Sequence, residues 1–166
     1  MNWKQTVYYG ILLSLCLIFS YIEILIPVPV PLPGFKLGLS NIVILFAFMH
    51  FGCLPAFLIG ILKTALMFLL FGNVFSAVLS ICGFILSFLT IFLLYRLKRF
   101  SVVGLSMAGG CFHNIGQIAG AAFITGRIGV LRLIPALSFL GMITGLFVGL
   151  ITLAVIERIR KNDRLR

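Results

Sequence analysis

Acid is what this chain has least of. Among 166 residues only Glu23, Glu157 and Asp163 are acidic, against 13 lysines and arginines. Enzymes that work on Mg²⁺-diphosphates hold the hard cation with clustered carboxylates, and three scattered acids form no such cluster. There is no Walker A sequence to cradle ATP phosphates, and no Ser-His-acid set. These absences argue against an enzyme. They also leave no call for a cofactor. The four cysteines, Cys16, Cys53, Cys82 and Cys111, form no C-x-x-C pair. They are expected as small apolar packing residues rather than a zinc or redox site. His113 has no second His or Cys at ligand spacing, so no metal is expected. A net charge of +10 is unaccompanied by any nucleic-acid-binding motif. Charged residues of both signs total 10%, where soluble domains carry about 25%.

What fills the chain instead is apolar: 62% of residues are hydrophobic, in runs near the length that spans a bilayer. The pattern predicts an all-α polytopic membrane protein, one integral domain over residues 1–166, built as a bundle of six transmembrane helices. The spans are expected at about 5–26, 37–52, 54–72, 75–95, 103–125 and 135–156. The first ends at Ile26-Pro-Val-Pro-Val-Pro-Leu-Pro-Gly34, where alternating prolines remove backbone donors and hold the chain extended. No small-residue cleavage site follows this span, so it is expected as a retained helix rather than a signal peptide. The second break is Phe51-Gly-Cys-Leu-Pro55, the third Gly72-Asn73, the fourth Arg96-Leu-Lys-Arg99, and the fifth opens at Gly126-Arg-Ile-Gly129.

Basic residues choose the orientation. With both termini cytoplasmic, Lys4, Arg96, Lys98, Arg99, Arg158, Arg160, Lys161, Arg164 and Arg166 lie inside, and Lys36, Arg127 and Arg132 outside. The expected location is a membrane, with the lipid bilayer as the first partner and no nucleic acid.

One basic residue fits neither side. Lys63 sits in Leu58-Ile-Gly-Ile-Leu-Lys63-Thr-Ala-Leu-Met67, at mid-bilayer depth, where a charge costs roughly 2.5–3.5 kcal/mol. It must face protein or water. His113 and Gln117, four residues apart, share a helix face near the same depth, with Asn114 one step round. Each is either an interhelical hydrogen bond or part of a ligand cavity; the set is expected to line a pocket for a small molecule. Lys63 alone allows a salt bridge or snorkelling, with Glu23 the acid inside the membrane, placed more than a turn farther out. Asn41 is expected near the outer surface, lining the pocket or capping backbone. The pocket residues are thus Asn41, Lys63, His113, Asn114 and Gln117, with Pro31, Pro33, Gly34 and Lys36 as gate or lid.

Glycine spacing suggests close helix contact. Gly116-x-x-x-Gly120 and Gly141-x-x-x-Gly145-x-x-x-Gly149 read as packing within the chain. Gly10-x-x-x-Ser14 on the first helix is the expected docking face for a partner subunit.

Three motifs together, Pro33-Gly-Phe-Lys-Leu-Gly-Leu-Ser-Asn41, Phe71-Gly-Asn73 and His113-Asn-Ile-Gly-Gln117, resemble the small bacterial membrane proteins of the Gx transporter family, also known as heptaprenyl diphosphate synthase component I. The resemblance covers about residues 5–156. That family is grouped with the S components of energy-coupling-factor (ECF) transporters. This implies a substrate-binding membrane subunit taking up a vitamin-like or isoprenoid or quinone-precursor solute. It also implies partners, an ECF transmembrane T subunit and two ATPase subunits, docked through the first helix. The loop over residues 27–36 would close over the solute. The alternative implication is a non-catalytic accessory subunit of a heptaprenyl diphosphate synthase.

Overall fold

A computed structural model describes residues 3–26, 38–71 and 74–163. Six α-helices follow one another: α1 Trp3–Leu25, α2 Asn41–Phe51, α3 Cys53–Phe71, α4 Val74–Arg96, α5 Val102–Thr125 and α6 Ile134–Asp163. A 3-10 segment, Ile128–Leu133, leads into α6. The all-α membrane bundle expected from composition is what the chain forms. The turns form where the sequence permits them. Gly52, at φ 95°, lets the chain reverse between α2 and α3. Ser101 caps α5 by accepting the Gly104 N–H at 3.1 Å, and Gly126 ends that helix in the left-handed conformation.

Helices α2 to α6 form a ring. α3 packs on α2 and α4, α5 on α4 and α6, and α6 closes onto α2. α1 lies outside that ring, against α2 and α3. Tyr9 meets Phe51 edge-on at 5.3 Å near one end, and Tyr21 stacks on Phe71 at 5.9 Å near the other. α1 therefore runs parallel to α3 and antiparallel to α2. One aromatic cluster, Phe48, Phe57, Phe84 and Phe88, fills the space between α2, α3 and α4.

Two spans differ from expectation. α2 was expected over 37–52, but the helix has 11 residues. At about 1.5 Å per residue it covers roughly half of a 30 Å hydrocarbon layer. The residues before it, Gly38 to Ser40, are a non-helical turn, and Gly38 and Ser40 are buried. Irregular backbone at membrane depth survives only where protein satisfies its polar groups. The second difference is α6, expected to stop at 156, which continues to Asp163. Among the described residues, α1, α3, α4 and the stretch Ile128–Asn162 are long and apolar enough to cross a membrane. α5 has the length, 24 residues, but its glycines and polar side chains dilute its hydropathy.

Candidate functional site

Small residues set the two packing faces of α5. Gly109, Gly116 and Gly120 lie against α4: a Cβ at Gly116 would press on the Cys82 carbonyl, and one at Gly120 would reach Cys82 Sγ at 3.1 Å. Gly110 lies against α6, where Gly141 and Gly145 leave room for backbone to meet backbone. The sequence reading of these glycines as contacts within the chain matches this packing. At about 3.6 residues per turn, the face between the two contacts carries Ser106, His113 and Gln117. All three are buried. Gly83 of α4 makes room for them: a Cβ there would lie 2.9 Å from Gln117 Cγ and 3.0 Å from His113 Cε1.

Asn114 turns the other way. Its Nδ2 donates to the Leu137 carbonyl at 2.6 Å, and Gly141 leaves space for the amide. Its described contact is a clamp on the first turn of α6.

Asn41 sits deeper than the outer surface expected for it, because α2 starts within the bundle. It lines a cleft with Leu45 of α2, Ser87 and Ile91 of α4, Ser106, Gly109 and Gly110 of α5, and Thr144, Gly145 and Val148 of α6. The cleft encloses about 290 Å³ of empty space counting its open mouth, and about 20 Å³ is deep enough to seat a water. As it stands it admits about one water molecule. Its polar lining is neutral: one amide and three hydroxyls.

Lys63 belongs to a different neighbourhood. α1 buries one stripe, Leu12, Cys16, Ser20 and Glu23. This stripe faces the Gly38–Ser40 turn and α3. Glu23 Oε1 accepts the Leu39 N–H, and Cys16 Sγ donates to the Ser40 carbonyl at 3.8 Å. The Lys63 ammonium interacts electrostatically with both Glu23 and Cys16, and Lys63 is 8% exposed. Glu23 and Lys63 thus lie within electrostatic range of each other where α1, α3 and the Gly38–Ser40 turn come together. A carboxylate there also suits the positive end of the α2 dipole. The hydroxyls of Ser20 and Ser40 are buried in the same region without hydrogen-bond partners.

The five residues expected in one pocket thus have described contacts in four places: Asn41 in the cleft, His113 and Gln117 against Gly83, Asn114 on Leu137, and Lys63 at the α1 junction. α4 stands between α3 and α5 in the ring. Ser87, Ser106 and Thr144 were missed. A usable signal existed, since Ser106 precedes His113 by seven residues and so shares its face. The lid residues Pro31, Pro33, Gly34 and Lys36 lie outside the described residues, as does Asn73. Gly10 and Ser14 are exposed on α1, and a Cβ at Gly10 would meet nothing within 4 Å. Among the described residues no three His, Cys, Asp or Glu side chains gather to hold a metal.

These features define a class, an all-α membrane bundle held by glycine contacts around a small neutral polar interior. The chain belongs to the heptaprenyl diphosphate synthase component I family, whose family model matches residues 12–155. No curated protein and no solved structure matches it.

Proposed function

We propose that this protein is a non-catalytic membrane subunit of a heptaprenyl diphosphate synthase, acting beside a separate catalytic chain. The observation that carries this is the family match read together with acid content. Within residues 12–155 the sole acidic residue is Glu23, and its carboxylate accepts the Leu39 N–H. A prenyl synthase site needs several carboxylates to hold Mg²⁺ and diphosphate, so the chemistry belongs to a partner. The test is affinity purification of the tagged chain from its own cells, followed by a synthase assay. Co-purifying heptaprenyl diphosphate synthase activity, lost when this chain is removed, supports the reading. Full activity and membrane association of the catalytic chain without it refutes the reading.

A second reading is favoured by the interior cleft and the buried polar face of α5. Here the chain is a solute-binding subunit that docks on an ECF transmembrane T subunit and two ATPase subunits through Gly10 and Ser14. Both termini would be cytoplasmic, in a bacterial plasma membrane. The same purification separates the two, since ATPase subunits in place of a prenyl synthase chain select the second.

A further inference from the structure

Gln117 is the most conspicuous polar side chain left over by the packing. It is 0% exposed, and neither its Nε2 nor its Oε1 has a hydrogen-bond partner. Nearby, Asn114 bonds Leu137, and Thr144 Oγ1 donates to the Gly141 carbonyl at 3.1 Å. Gly83 makes room for the Gln117 side chain, which a Cβ there would crowd. The position lies on the α5 face that lines the cleft at Ser106 and Gly110, about two turns farther along. On α6, the Ser138 hydroxyl is likewise buried without a partner among the described residues, next in sequence to the Leu137 carbonyl that Asn114 grips.

A buried amide with both functions open is costly unless something supplies an acceptor and a donor together. A carboxylate or phosphate satisfies only the N–H and turns its charge toward the carbonyl. A cation satisfies only the carbonyl. A neutral group that donates and accepts side by side satisfies both; a cis-amide edge, an N–H beside a C=O as in a lactam or imide ring, does so with two parallel hydrogen bonds to the side chain. We propose that Gln117 is the recognition element for a neutral solute bearing such an edge. This rests on the solute-binding reading and narrows its substrate class. Gln117 has no exposed surface in this arrangement, so the solute reaches it from a more open form of the bundle.

The test uses the full chain in detergent, with uracil and succinimide as neutral probes and benzoate as the anionic control. Binding is read by isothermal titration and by the shift in melting temperature. Wild-type protein is expected to bind the neutral probes and to discriminate against benzoate. Gln117→Leu and Gln117→Glu are each expected to weaken the neutral probes about tenfold or more. Gln117→Leu removes two unpaired buried groups, so its own melting temperature should match or exceed that of wild type. No binding of either neutral probe overturns the inference, as does equal binding by Gln117→Leu or equal binding of benzoate. Native mass spectrometry of the wild type keeps the two levels apart. A co-purifying charged solute that persists in Gln117→Leu defeats this inference and leaves the solute-binding reading standing.

Discussion

Replacing Lys63 by methionine should unfold the α1 junction rather than merely weaken a binding site. The ammonium is buried, and Glu23 is its acidic neighbour. Glu23 in turn accepts the Leu39 N–H from a turn with no helical partner for that group. Lys63→Met takes away a cation within electrostatic range of that buried carboxylate. Removing one member of a buried pair in direct contact costs about 3–5 kcal/mol, which sets the upper limit here. Glu23→Gln strands the ammonium at a similar cost, although the amide carbonyl still accepts from Leu39. Replacing both removes the uncompensated charge. Neutral replacement of buried pairs is often without penalty, so the double variant Glu23→Gln/Lys63→Met should recover most of the loss, a coupling of about 2 kcal/mol or more. The assay is reversible unfolding in mixed micelles, followed by tryptophan fluorescence from Trp3 and by helical circular dichroism, with the four proteins compared at one pH. If Lys63→Met is as stable as wild type, or if the double variant loses as much as the two single changes added together, the junction is not a coupled pair. The lysine would then be free to meet a ligand.

Other changes probe the remaining contacts. Gly110→Ala places a methyl group against the Gly141 carbonyl, where backbone must move, and should cost about 1–3 kcal/mol in the same unfolding assay; unchanged stability would mean that α5 and α6 do not pack this closely. Gly10→Leu with Ser14→Leu meets open space and should leave the isolated chain's stability unchanged, yet abolish co-purification of a partner subunit if the α1 face docks one. Asn114→Leu should destabilise by about 0.5–1.5 kcal/mol, since it removes the α5–α6 hydrogen bond to the Leu137 carbonyl, and equal stability would show that this bond does not hold the two helices together. A reporter fused after Arg166 should behave as cytoplasmic and one inserted at Val30 as external; the reverse pattern would invert the orientation drawn from the basic residues.

Much of the bundle was legible because lipid imposes so few solutions. Apolar runs punctuated by prolines, Gly52 and the Arg96–Arg99 segment give helix number and order, since backbone in a bilayer must close its own hydrogen bonds. Small residues gave the α4–α5 and α5–α6 contacts, because a face with Gly116 and Gly120, or Gly141 and Gly145, admits another helix closely. The length of α2 was not legible. Gly38-Leu39-Ser40 is apolar enough to continue a span, and hydropathy does not register that a carboxylate on another helix has taken the Leu39 N–H. That turn matters for Asn41, expected near the outer surface: a helix that begins inside the bundle brings it into one cleft with Ser87 and Thr144.

The polar residues of α5 show why residue type alone did not sort them. His113, Asn114 and Gln117 look alike in sequence, three polar side chains on one apolar helix. Their roles diverge by rotation about the helix axis. Asn114 points toward α6 and donates to the Leu137 carbonyl, so its amide is consumed in holding the fold. Gln117 packs against Gly83 of α4, and both ends of its amide lack a hydrogen-bond partner among the described residues. A short helix matters to that difference. α2 occupies only part of the ring's depth, so the polar stripe of α5 faces Asn41 and Leu45 at the level of Ser106 and Gly110 but extends beyond them toward Gln117. A full-length second helix with apolar side chains would cover that stripe and leave a buried amide with nothing to bind. The unwound turn held by Glu23 and Cys16 therefore does more than join α1 to the ring. It fixes where α2 begins, and with it how much of the polar face of α5 the second helix covers.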